Sequence, residues 1–139
     1  MTVAPLPPAG TPQRPAAAAP VLAAPLTRPS GRLDDARRVA VMGTGGLSHQ
    51  LEGERAGFIN KRFDLQFLQS MESNPQWATR FSDRELVELA GTQGVEVLMW
   101  LEMRAAPTEA GSGVRCVHRR YHIPISNTAT GVTALEVLR

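Results

Sequence analysis

Apolar and polar positions along this chain change their pattern at about residue 38. The stretch before it repeats Pro and Ala, with four consecutive alanines from Ala16, and shows neither the two-residue period of a strand nor the 3.6-residue period of a helix. Residues 1–37 are therefore expected to be a disordered Pro/Ala-rich tail, since such a segment buries too little apolar surface to offset the entropy lost on ordering. Order is predicted to begin at Arg38-Val39-Ala40-Val41-Met42, a short buried strand running into glycines. From Arg62 the residues Phe63, Leu65, Phe67, Leu68 and Met71 read as one helical face, which Asn74-Pro75 ends. Ser82-Asp83-Arg84-Glu85 is a capping box, and its helix continues through Leu86, Val87, Leu89 and Ala90 to Gly91. A second helix, apolar nearly all round, is predicted over 95–106, with a loop over 107–113. Strands are predicted over 114–123 and 131–138, separated by the polar segment Pro124-Ile-Ser-Asn-Thr-Ala-Thr, which could line a pocket. The whole reads as an α/β domain over 38–139 behind the tail.

Composition narrows the function classes. The 139 residues suffice for one small domain, and 15 Lys and Arg against 13 Asp and Glu leave a formal net charge of only +2. The one dense basic patch, 115–120, lacks the cation stripe and aromatic context of a nucleic-acid surface, so no nucleic-acid partner is expected. No apolar run approaches membrane-spanning length, and residues 2–29 lack the basic and apolar regions of a signal peptide, so no membrane association is expected either. The single Cys116 excludes an intrachain disulfide and a four-cysteine zinc site, which favours a cytoplasmic protein.

The candidate chemistry centres on Gly43-Thr44-Gly45-Gly46-Leu47-Ser48-His49-Gln50. A glycine-rich bend after a strand can present one imidazole to a cleft, where it serves as acid or base. His49 is thus either a catalytic group or a satisfied structural histidine. The bend meets neither G-x-S-x-G nor a phosphate-loop pattern. Glu96 lies in the first turn of an otherwise apolar helix, where it either complements the helix dipole or binds a metal ion. His118 and His122 fall on one side of a predicted strand, but four residues along a strand is about 13 Å, too far for both to hold one ion with Glu96 easily.

The runs Arg38-Val-Ala-Val-Met-Gly-Thr-Gly-Gly-Leu-Ser-His-Gln-Leu-Glu-Gly-Glu-Arg-Ala-Gly-Phe-Ile-Asn, Gly91-Thr-Gln-Gly-Val-Glu-Val-Leu-Met-Trp-Leu-Glu-Met-Arg-Ala-Ala and Tyr121-His-Ile-Pro-Ile-Ser-Asn-Thr-Ala resemble the C-terminal half of class III extradiol ring-cleavage dioxygenases. The likeness is to the catalytic β subunits that cleave protocatechuate, and to their gallate-cleaving relatives. It implies the C-terminal part of that catalytic-subunit fold, with His49 as catalytic acid and base, Glu96 as a ligand of Fe(II), and Ser126 at the substrate carboxylate. It also implies a catechol-type aromatic acid and O2 as substrates, and a small α subunit and a homo-oligomer as partners. The family's two iron-binding histidines precede this region, and here no histidine precedes His49. The chain is accordingly expected to be a partial catalytic domain, inactive by itself and exposing apolar surface. The alternative is a noncatalytic remnant or accessory module that associates with a dioxygenase subunit.

Overall fold

The computed structural model describes residues 40–109 and 111–138, so the tail expected over 1–37 lies outside the described residues. Three helices carry the core: α1 (Lys61–Ser73), α2 (Asp83–Ala90) and α3 (Val97–Glu109). Short 3-10 turns, Ala78–Arg80 and Gly94–Glu96, precede α2 and α3, and an antiparallel hairpin of β1 (Val114–His122) and β2 (Thr130–Val137) follows. Helices and sheet together bear out the α/β reading.

Helix α1 starts where Asn60 caps it, its side chain accepting from Phe63 N at 3.1 Å. Phe63, Phe67, Leu68 and Met71 are fully buried, and the Phe63 ring packs on Trp77 and Phe81 with centroids 5.8 and 6.3 Å away. Leu65 is a correction. It lies two positions, or about 200°, round the helix from Phe63, and it is 45% exposed. The expected capping box is present on α2: Ser82 N donates to Glu85 Oε2 at 2.8 Å, and Glu85 N donates to Ser82 Oγ.

The strand expected at 38–42 is a second correction. Residues 40–42 pair with no strand among the described residues, and Met42 is 80% exposed. An apolar run becomes a strand only where another strand offers ladder partners. The predicted loop over 107–113 is the third, because α3 continues through Pro107 to Glu109. Proline removes one helical N–H, the one that would reach Met103 O, but it stands within a turn of the helix end.

Helix α3 buries Val97, Trp100 and Arg104 on one side. Arg104 Nε donates to Met71 O, a carbonyl of the last turn of α1, and Nη1 donates to Thr108 Oγ1. Burial alone lowers the Arg104 pKa, and the helix terminus offsets part of that cost. On the other side Leu98 and Met99 are about as exposed as Val41, so apolar surface is left uncovered as expected. No helix among the described residues is long and apolar enough to cross a membrane.

Candidate active site

Residues 46–50 form a crossing point of the fold, with 47–50 buried. Leu47 N donates to Ala129 O at 2.9 Å, Ala129 N to Ser48 O at 3.3 Å, and His49 N to Ala90 O at 2.8 Å. The bend is thus stitched to the loop before β2 on one side and to the end of α2 on the other. Gly91 permits the second contact. Its φ is +87°, and a Cβ there would stand 2.2 Å from His49 O.

His49 is 6% exposed, and its Nδ1 lies 2.8 Å from Leu47 O. A carbonyl can only accept, so Nδ1 carries the hydrogen and Nε2 keeps its lone pair when the ring is neutral. No other described residue bonds the ring. Glu96, at the end of the 3-10 turn that leads into α3, accepts from Gly46 N through Oε2 at 2.6 Å. The same Gly46 lies under the imidazole, since a Cβ there would stand 2.7 Å from His49 Cε1 and 3.4 Å from Thr128 Cγ2. Imidazole, carboxylate and the segment before β2 therefore converge on one glycine. Trp100 Nε1 donates to Gly45 O at 3.1 Å and ties the body of α3 to the same bend.

Ser126 sits in the exposed turn closed by Asn127 N to Pro124 O at 3.1 Å, two residues before Thr128, which pairs with His49. His118 and His122 are exposed on β1, away from any metal-holding group: among the described residues no three His, Cys, Asp or Glu side chains cluster so as to hold an ion.

Sequence reasoning missed what lies beneath the bend. Asp64, fully buried, accepts from Ser48 N at 2.8 Å through Oδ1, and from Ser48 Oγ at 2.6 Å and Tyr121 Oη at 2.8 Å through Oδ2. Ser48 Oγ also accepts from Asn60 N at 2.7 Å, and Asn60 Nδ2 donates to Leu89 O at 3.0 Å. A lone acid on the apolar stripe Phe63, Phe67, Leu68, Met71 was the available signal. Burial raises the Asp64 pKa, against the pull of its three donors and of His49. Burial, then the facing carboxylate, pushes the Tyr121 phenol well above its usual range, so it remains a donor.

A raised acid favours folding most in its protonated form. That contribution is present below the ordinary Asp pKa of 3.8 and is lost as pH rises through the higher folded value. Chemical denaturation at several pH values should therefore show Asp64→Asn gaining on the wild type as pH rises above about 4. A pH-independent difference would show that burial leaves the carboxyl unperturbed.

With this geometry established, two similarities bear on what it is for. The sequence pattern described as the catalytic LigB subunit of aromatic ring-opening dioxygenase matches residues 30–133. The chain belongs to this family. A gallate dioxygenase of Pseudomonas putida is 39% identical over 98 residues, which is 70% of this chain and 27% of that protein. The chain thus spans about a quarter of the length of that relative. The expectation of a class III extradiol dioxygenase relationship, drawn from the motifs around His49 and Glu96, is borne out at the level of the family.

Proposed function

We propose that residues 38–138 build one wall of the active site of an extradiol ring-opening dioxygenase acting on a catechol-type aromatic acid, protocatechuate or gallate, with O2. In this reading His49 is the catalytic acid and base, Glu96 is a ligand of Fe(II), and Ser126 meets the substrate carboxylate. The observation that carries it is the meeting of imidazole and carboxylate at Gly46, with the ring nitrogen Nε2 left open. A cytoplasmic location, and a small α subunit or a further copy of the chain as partner, belong to the same reading.

The described residues by themselves do not fit an iron site. They offer one carboxylate at the bend, whereas such a centre needs at least three donors. The role of His49 rests on its own hydrogen bond. With Nδ1–H held by Leu47 O, Nε2 takes the proton of a substrate hydroxyl and returns it as the ring opens. Burial keeps bulk water from competing for that proton.

The exposed apolar side chains Val41, Met42, Leu98 and Met99 support a second reading, a noncatalytic module that docks on a dioxygenase subunit. One pair of assays separates them. The purified chain given Fe(II) and either aromatic acid should take up no oxygen, and uptake would contradict the need for further donors. Exchanged for the matching residues of the Pseudomonas putida gallate dioxygenase, residues 38–138 should support gallate-dependent oxygen uptake. A folded but inactive exchange protein would favour the noncatalytic module.

A further inference from the structure

The Leu47–Ser48 peptide group is held at both ends. Its N–H, on Ser48, donates to Asp64 Oδ1 at 2.8 Å, and its C=O, on Leu47, accepts from His49 Nδ1 at 2.8 Å. Carboxylate, peptide and imidazole thus form one hydrogen-bonded line through a single planar amide. We propose that Asp64 is a positioning residue for His49, acting through the Leu47–Ser48 peptide to fix the imidazole in its Nδ1–H form with Nε2 free.

Two physical effects run along this line. The first is geometric. An amide is planar, so gripping the Ser48 N–H fixes the direction of the Leu47 C=O, and hence the only orientation in which the ring can donate to it. Asp64 grips Ser48 twice, at N and at Oγ, and Asn60 N donates to the same Oγ, so the peptide cannot rock. The second is electronic. A negative acceptor on the N–H side draws the amide toward its charge-separated form and makes its carbonyl oxygen a stronger acceptor, the cooperativity known for hydrogen-bonded chains in a poorly polar interior. Ser48 and Asp64 are both fully buried, so water does not screen the effect. Tyr121 Oη, donating to Oδ2, holds the carboxylate in place without touching the oxygen that serves the peptide.

This inference rests on the reading of His49 as the acid and base, but its test does not require turnover. The chain has three histidines, and His118 and His122 are exposed on β1, so the ring nitrogens of the full-length protein can be followed individually by long-range proton–nitrogen NMR. The wild type should show His49 as the Nδ1–H tautomer alone. In Asp64→Asn, which keeps the shape but not the charge, that bias should weaken. In Asp64→Ala it should be lost, giving ring shifts averaged between the tautomers, while those of His118 and His122 stay put. Should the alanine variant fail to fold, the asparagine variant alone decides. A folded Asp64→Asn whose His49 nitrogens are unchanged from wild type would overturn the proposal and leave Asp64 a core polar residue only. Neither result depends on the dioxygenase assignment, and failure of the oxygen-uptake assays would leave the tautomer result standing.

Discussion

Gly91→Ala should destabilise the chain by about 3 kcal/mol or more, lowering its midpoint of thermal unfolding by on the order of 10 °C. Two costs combine at this position. The backbone has φ +87°, which an L side chain rarely adopts, and the new Cβ would lie 2.2 Å from His49 O and 2.8 Å from His49 C. Both of those atoms are backbone, so no side chain can swing aside. The end of α2 would have to withdraw from the bend, breaking the bond from His49 N to Ala90 O. Gly111→Ala is the control, because its φ is +74° but nothing lies within 4 Å of the added atom. It should cost about 1 kcal/mol, from strain alone. Thermal or denaturant unfolding of the two variants side by side measures the difference, and equal losses would mean that the contact at His49 adds nothing to the backbone strain.

The second large effect concerns turnover. In the gallate dioxygenase carrying residues 38–138 of this chain, His49→Phe should lower kcat by about 10²- to 10⁴-fold, the range a positioned acid and base contributes. Phe keeps the buried ring volume, so the loss reports on proton transfer rather than on packing. The Leu47 carbonyl loses its partner in this variant, a cost to stability of about 1 kcal/mol. Single-turnover oxygen-uptake kinetics would separate that penalty from a chemical one. Near-normal kcat would return His49 to the structural role that a buried, singly bonded histidine could equally fill.

The legible parts of the fold were those decided by neighbours in sequence. Ser82 and Glu85 announce α2 because a capping box closes within four residues, and the hairpin follows from two β-rich runs around a turn. The family and the bend could likewise be read from contiguous motifs. What could not be read depends on distant partners. Residues 40–42 have the composition of a strand, but no local pattern says whether a neighbour exists to pair with them. Pro107 ordinarily stops a helix, and that this one runs past it to Glu109 is visible only in three dimensions. Leu65 shares the hydrophobicity of the apolar face but not its angle. At the site, His49 and Glu96 carried sequence signals. The support beneath them joins Asp64 to Ser48, sixteen residues back, and to Tyr121, fifty-seven residues ahead, and the chain between gives no hint of either meeting.

In the proposed function the imidazole at 49 and the carboxylate at 96 serve one centre in different roles. Iron content and turnover measured together on His49→Phe and Glu96→Ala, in the same exchange protein, test it most directly. His49→Phe should retain its iron while turnover disappears, and Glu96→Ala should lose the iron itself. Equal iron loss in both variants, or full iron in both, would contradict it.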